Sequence, residues 1–180
     1  MIVGQPGAGK STLARMMGDR LAVPVVHVDR IFWQENWVQR PEEARLALVA
    51  EAQAAPAWVI EGGMSATWPA RLTRAEVLVV LDLPLWLRLW RVSRRTLRHY
   101  GQSRPDLPKG CRERFDPEFW SWVWETRHTG RAKMLDLAKT AGPDKRVEVL
   151  RRPRQVRRFV AGLDMRYASG HESGHAELSN

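Results

Sequence analysis

The run Gly4-Gln5-Pro6-Gly7-Ala8-Gly9-Lys10-Ser11-Thr12 constrains this chain more than any other feature. It fills every fixed position of G-x-x-x-x-G-K-[ST], and it stands between an apolar strand and a helix. Met1-Ile2-Val3 is apolar before it, and Leu13, Ala14, Met16 and Met17 resume at helical spacing after it. Glycines here let backbone N–H groups turn inward around a polyphosphate, while Lys10 adds a mobile positive charge and Ser11 a hydroxyl suited to Mg²⁺. Gly4, Gly7, Ala8, Gly9, Lys10, Ser11 and Thr12 are therefore expected to bind ATP with Mg²⁺. The alternative is a glycine-rich turn with no ligand. Only three residues precede Gly4, short of the about 5 to 6 usual in a buried parallel strand, so the strand is clipped here or the native start lies upstream, and folding is expected to be weaker than in a longer version.

At 180 residues the chain is one domain's worth, long enough for a full apolar core. The single cysteine, Cys111, excludes an internal disulfide. No stretch approaches the ~20 apolar residues of a membrane span, and the N-terminus runs straight into the nucleotide loop. A cytoplasmic protein without a signal peptide or membrane contact is the expectation. The net charge of +9 is clustered: nine basic residues face Asp106 and Glu113 between Arg88 and Arg114, and seven face Glu148 between Lys145 and Arg158. Such clusters attract the phosphates of a nucleotide or of a nucleic acid.

Four further strands are legible: Pro24 to Val28 ending at Asp29, Trp58 to Ile60 ending at Glu61, Val77 to Leu81 ending at Asp82, and Val147 to Leu150. Helical patterns fall between them at Glu42–Gln53, Leu85–His99, Glu118–Trp124 and Arg131–Thr140, with another from Arg154 to about Ala161. The alternation implies an α/β fold with a five-stranded parallel sheet, whose strand ends would gather the phosphate loop, Asp29, Glu61, Asp82 and the Arg151 loop on one edge. Gly101–Arg127 is long for a loop and reads as a helical lid, about residues 101–131. From Asp164 the composition is read as a disordered tail, residues 164–180. Within it His171-Glu172-Ser173-Gly174-His175 matches H-E-x-x-H in letters only, because Gly170 and Gly174 argue against the helix that motif needs.

Phosphoryl transfer needs positioning and charge stabilisation, hence Mg²⁺-ordering carboxylates and arginines that close over phosphates. Asp29 and Glu61 are candidate metal ligands beside Ser11, with helix capping or a surface ion pair as their alternative. Arg91 and Arg95 share a helix face at i, i+4, and Arg127 and Arg131 have one-turn spacing in the lid; each has a solvated surface role as the alternative. Trp33 and Trp37 follow Asp29 and either wall an acceptor pocket or fill the core, whereas Trp120, Trp122 and Trp124 read as packing.

Leu81-Asp82-Leu83-Pro84 leading into an arginine-rich helix, followed by a lid with an arginine pair, resembles adenylate kinase and its relatives among small P-loop kinases. More narrowly, His27-Val28-Asp29-x-x-Phe32-Trp33, Trp90-Arg91-Val92, Arg104-Pro105-Asp106, Gly110-Cys111 and Trp122-Val123-Trp124 resemble the bacterial adenylate kinase-like proteins of the FlaR type, labelled DNA topology modulation proteins. The resemblance covers residues 1 to about 162. It implies a P-loop kinase domain over 1–163 in which Lys10 neutralises transferring charge, Arg91 and Arg95 lie near ATP, Arg127 and Arg131 reach in from the lid, and Arg151 lies near the adenine. Glu61-Gly62-Gly63-Met64-Ser65 departs from the Asp-Gly-Phe-Pro-Arg of adenylate kinases, so AMP does not follow as the acceptor, and Arg71 or Arg40 would have to replace the missing arginine. The expected activity is transfer of the γ-phosphoryl of ATP to a nucleotide or other small acceptor. The alternative is an ATP-binding regulator associated with nucleic acid, although no duplex-reading motif is present.

Overall fold

The computed structural model describes residues 1–171 of the chain, and the side chains of residues 1–163. Strands β1 (Ile2–Gly4), β2 (Val25–His27), β3 (Val59–Glu61), β4 (Val77–Leu81) and β5 (Arg146–Leu150) form one parallel sheet in the order β2-β3-β1-β4-β5. Parallel neighbours need long crossovers, and helices supply them. These are α1 (Lys10–Leu21), α2 (Val28–Phe32), α3 (Glu42–Ala54), α4 (Trp68–Arg74), α5 (Leu85–Arg98), α6 (Pro117–Glu125), α7 (Thr129–Thr140) and α8 (Pro153–His171). The α/β architecture expected from the sequence is the one observed. Because β1 lies between β3 and β4, the strand order reverses at its carboxyl end, and a crevice opens where the phosphate loop leaves the sheet.

The period of two along β4 divides its side chains between two layers. Val79 and Leu81 join Ile2, Leu13, Ala14, Met17, Phe159 and Val160 under α1 and α8. Leu78 and Val80 join Val3, Trp68, Met134 and Leu137 under α4 and α7. Ile2, Val3, Leu78, Val79 and Val80 are fully buried, each worth about 1.5–3 kcal/mol, which holds the short β1 firmly at the centre. Gly18 lets α1 lie against β2: an added Cβ would run into Val25 Cγ2 and come within 3.1 Å of the Val23 carbonyl oxygen. Gly18→Ala is therefore expected to cost about 1–3 kcal/mol by overpacking, read as a lower denaturant midpoint with an unchanged slope.

Three elements differ from the sequence reading. Strand β2 stops at His27, whose register partner is Glu61, the last residue of β3. With no β3 backbone left to pair, Val28–Phe32 coils into α2, and Gly62 turns away at φ +128 with its backbone so close that a Cβ there would lie 2.8 Å from Val28 Cβ. Helix α4, with Pro69 in its first turn, carries no sequence expectation. The final helix continues to His171, past residue 163 where the sequence reading begins a tail; residues 172–180, with the rest of the H-E-x-x-H match, lie outside the described residues. Trp122 and Trp124 are half exposed on α6, with Trp122 against Phe119 and Trp124 under Arg127. Among the described residues no helix is long and apolar enough to cross a membrane.

Candidate active site

Strand β1 delivers the phosphate loop and α1 begins at Lys10, so the backbone must reverse within five residues. Gly7 (φ +78) and Gly9 (φ +94) adopt the left-handed region that favours glycine. A Cβ on Gly7 would collide with the Arg88 backbone carbonyl. Helix α5 buttresses the loop on that side. Arg88, almost fully buried, donates from Nε to the Leu83 carbonyl at 3.2 Å and from Nη1 to the Pro6 carbonyl at 3.4 Å. Arg91 Nη1 donates to the Ala8 carbonyl at 3.3 Å. From the other side Gln5 Nε2 donates to the Thr126 and Arg127 carbonyls, both at 3.1 Å. The loop is thereby clamped between α5 and the α6–α7 turn, which leaves its backbone N–H groups set for an anion before one arrives.

The carboxyl ends of β2 and β3 add oxygen donors. Glu61 is 2% exposed and lies 2.7 Å from His27 Nδ1. Burial alone would raise its carboxyl, but the His27 hydrogen bond, the Lys10 charge and the Ser11 hydroxyl hold it below the usual carboxylate range. Asp29, on α2, is pushed the other way: burial raises its carboxyl, Lys10 and Arg104 oppose, and Glu61 and Asp106 add to the rise. Glu61 and the Ser11 hydroxyl are hard oxygen ligands at the mouth of a phosphate cradle, the set Mg²⁺ takes when phosphates complete its shell. Among the described residues no group of three or more His, Cys, Asp or Glu is placed to hold a metal ion by itself.

Asp82, at the end of β4, is buried and collects the lid. Arg131 meets it bidentately, Nε to Oδ1 at 2.7 Å and Nη2 to Oδ2 at 2.8 Å, and Arg151 Nε lies 3.5 Å from Oδ2. Arg131→Ala would leave the buried carboxylate with the longer Arg151 ion pair and the charge of Arg88. With Arg131 half exposed, the expected loss is about 1 kcal/mol, a fall of about 2–4 °C in Tm for a chain of this size.

The remaining sequence candidates are placed as follows. Arg127 stacks 4.0 Å over Trp124, donates from Nη1 to the Trp124 carbonyl and contributes its backbone carbonyl to Gln5. Arg95 does not share the Arg91 contact with the phosphate loop: its Nε lies 2.9 Å from Glu113 Oε1. Arg104 reaches the same oxygen at 2.8 Å and donates to Asp106 Oδ2 at 3.0 Å. Arg71 is fully buried, bonded through Nη2 to the Gly63 and Met64 carbonyls, and burial lowers its pKa to about 10. Arg40 Nε donates to the Ile31 carbonyl at 2.9 Å. Nε and Nη1 of Arg71 are buried without a hydrogen-bond partner.

Gly101–Asp116 is fastened by hydrogen bonds to the segment after α2. Gly101 N donates to the Glu113 carbonyl, Trp37 Nε1 to the Arg112 carbonyl at 3.0 Å, and Trp37 N to Cys111 Sγ at 3.3 Å; Cys111 donates in turn to the Gln34 carbonyl. The segment is thus clasped to residues 34–37, on the Asp29 side. Trp33 and Trp37 meet edge to face at 5.4 Å, and Phe32 and Trp33 at 4.9 Å.

No protein-family model matches the chain. An uncharacterized protein of Bacillus subtilis (strain 168), YqaC, is 26% identical over 124 residues, 68% of each chain. In solved structures, shikimate kinase from Acinetobacter baumannii in complex with shikimate superposes with a TM-score of 0.50 at 19% identity, over 99% of this chain and 94% of that one. The fold is that of a P-loop kinase. A sugar kinase from Janibacter sp. HTCC2649 (99% and 96% covered) and a gluconokinase from Sinorhizobium meliloti 1021 (97% of each) match less well, each at TM-score 0.47 and 16% identity.

Several parts of this P-loop kinase fold escaped the sequence reading. Arg88 pairs with Arg91 at i, i+3 on the face toward the loop, whereas the i, i+4 pair Arg91 and Arg95 was the more obvious choice. Gln5 occupies a variable position of the motif and carries no sequence signal. Glu113 and Asp106 were visible only as the two acids in a basic stretch, which is itself a usable hint that each neutralises an arginine.

Proposed function

We propose that the protein is an ATP-dependent phosphotransferase that carries the γ-phosphoryl of ATP to a hydroxyl on a small acceptor. The observation that carries this reading is the clamped phosphate loop with Lys10, Ser11 and Glu61 on one side and Asp29 beside them at the strand ends. ATP would lie with its phosphates in the cradle of Gly4 to Thr12. Mg²⁺, held by Ser11 and the ionised Glu61, would screen charge on the phosphates. Lys10 would offset the charge that spreads over the transferring oxygens, and Arg91, on the rim of the loop, would add to that field. Asp29 would orient the acceptor hydroxyl and take its proton as the new phosphorus–oxygen bond forms and ADP leaves. Clearing water from this crevice falls to the clasped segment 101–116 and to α6.

The test is ADP formation from ATP and Mg²⁺ across nucleoside monophosphates and small hydroxyl compounds, with Lys10→Ala as the blank. Acceptor-dependent turnover that disappears in the variant supports the reading. Tight ATP binding with no turnover on any acceptor would sink it.

A second reading has one observation of its own. The outer face of α5 exposes Trp86 (70%), Trp90 (54%) and Leu97 (80%), with Arg94 stacked 5.4 Å over Trp90, a combination suited to stacking bases beside phosphates. It predicts binding to single-stranded nucleic acid that weakens steeply with salt. Absence of binding at about 100 mM salt would rule it out.

A further inference from the structure

We infer that the groove between the hairpin 33–39 and the segment 100–114 binds a planar aromatic ring that carries an anionic group. This site goes beyond the phosphotransferase reading and does not depend on it, since no phosphate-loop residue lines the groove. The groove has a volume of about 370 Å³, and its lining includes Asn36, Trp37, Tyr100, Gly110, Arg112 and Arg114. One wall is built on an unusual backbone. Trp33 and Gln39 pair antiparallel, Gln34 N donates to the Val38 carbonyl at 2.7 Å, and the chain reverses through Asn36 (φ 60, ψ 34) and Trp37 (φ 62). Two consecutive left-handed residues are what a tight hairpin turn requires, and Asn-Gly is the favoured pair. Tryptophan stands here where glycine would be free of strain, because a β-carbon in that region crowds the following carbonyl oxygen. Such a residue persists only where its surroundings over-determine it. The segment 110–112 does so. Trp37 N donates to Cys111 Sγ at 3.3 Å, Trp37 Nε1 to the Arg112 carbonyl at 3.0 Å, and Cys111 Sγ to the Gln34 carbonyl at 3.3 Å. Gly110, at φ +78, lies so close to the hairpin tip that a Cβ on it would collide with Asn36 Oδ1.

The reversal itself does not need an indole. Asn-Gly would form the same turn, and the bond to Cys111 uses only the backbone N–H of position 37. What tryptophan adds is a flat aromatic surface, anchored by its N–H to the Arg112 carbonyl, in the same groove as the 66% exposed Tyr100. The other side chains of the lining are cations. Arg112 is exposed, and its guanidinium enters no hydrogen bond or ion pair among the described residues. Arg114 is exposed as well and has Asp116 only at 3.8 Å. Glu113, between them in sequence, buries its carboxyl against Arg95 and Arg104, at 2.9 and 2.8 Å. Aromatic faces hold a ring by stacking, and guanidiniums hold a carboxylate or phosphate by charge-assisted hydrogen bonds. A concave surface with both kinds of group selects a ligand that carries both. Nucleoside monophosphates and aromatic carboxylic acids share that chemistry.

The experiment is calorimetric titration of the full chain carrying Lys10→Ala, without Mg²⁺, so that the phosphate loop contributes little and no turnover is needed. AMP and indole-3-acetate are the probes with ring and anion together, adenosine and indole supply the ring alone, and inorganic phosphate and acetate the anion alone. At least one of the two combined probes is expected to bind with Kd below about 1 mM, and its separate halves at least ~10-fold more weakly. Preference for AMP assigns the groove to nucleotides, and preference for indole-3-acetate assigns it to aromatic acids; either supports the inference. Arg112→Gln and Tyr100→Leu alter side chains that make no contact holding the fold, and each is expected to weaken binding by at least ~10-fold with Tm unchanged. Trp37→Gly is expected to abolish binding while the hairpin, now Asn-Gly at its tip, still forms; if that variant does not fold, the other two decide. Absence of binding by both combined probes at ~10 mM, equal affinity for a combined probe and its separate halves, or affinity untouched by Arg112→Gln and Tyr100→Leu would overturn the assignment.

Discussion

Asp29→Asn is expected to stabilise the protein at neutral pH and to remove most of its phosphotransferase activity. The two effects share one cause. Burial raises the Asp29 carboxyl above its ordinary value in the folded state. A carboxylate with a raised folded pKa favours the fold when protonated, so its contribution grows as pH falls through that raised pKa and is lost above it. Ionising Asp29 in the folded state carries a cost, and asparagine, which carries no charge, removes it. Tm at pH 7 should therefore rise, with the advantage of the variant shrinking as pH falls toward the ordinary carboxylate range. Asparagine cannot take a proton, and loss of a positioned base costs about 10²–10⁴-fold in kcat. Paired thermal melts and initial rates check both halves. A variant that is less stable at pH 7, or equally active, would refute the role given to Asp29.

Glu61 behaves in the opposite sense, which makes it the control. Its carboxyl is held below the ordinary range despite burial, by His27, Lys10 and Ser11. Its contribution to stability is present above the unfolded carboxylate pKa and disappears as pH falls through the depressed value. Glu61→Gln should thus lose stability at pH 7, where Asp29→Asn gains it.

Lys10→Ala is expected to lower kcat/KM for ATP-dependent transfer by about 10²–10³-fold, the scale of losing one preorganised charge from a transition state. Its neighbours predict that the loss reaches beyond the phosphates. The Lys10 charge lowers the carboxyls of both Glu61 and Asp29. Without it Asp29 should titrate higher, and the acid limb of the pH–rate profile of the residual activity should move to higher pH. Rates measured from pH 5 to 9 (roughly the range across which such side chains switch) would show the displacement. Lys10→Arg should restore the position of that limb without restoring the rate, because a planar fork cannot replace a compact ammonium at the loop.

Much of the site was legible in one dimension because its geometry is local. The phosphate loop is a single turn between a strand and a helix, and the glycines that permit its left-handed residues, with Lys10 and Ser11 after them, are a few positions apart. The five-stranded parallel sheet was legible for a related reason: apolar runs alternating with helical periodicity leave few ways to bury both sheet faces. What only the tertiary structure decided is how long-range partners allocate charge. Nothing in sequence spacing distinguishes Arg91, which reaches the Ala8 carbonyl, from Arg95, which faces Glu113 eighteen positions away. Nor does it assign Arg131 to Asp82, or Gln5 to the Thr126 and Arg127 carbonyls. A guanidinium's role depends on which carboxylate the fold brings within about 3 Å, and Coulomb energies in a half-buried crevice change severalfold over that scale. The sequence by itself determined the cradle for a triphosphate and the sheet that carries it; the packing of residues 101–116 against residues 34–37 and α5 decided which arginines face the buried Glu113.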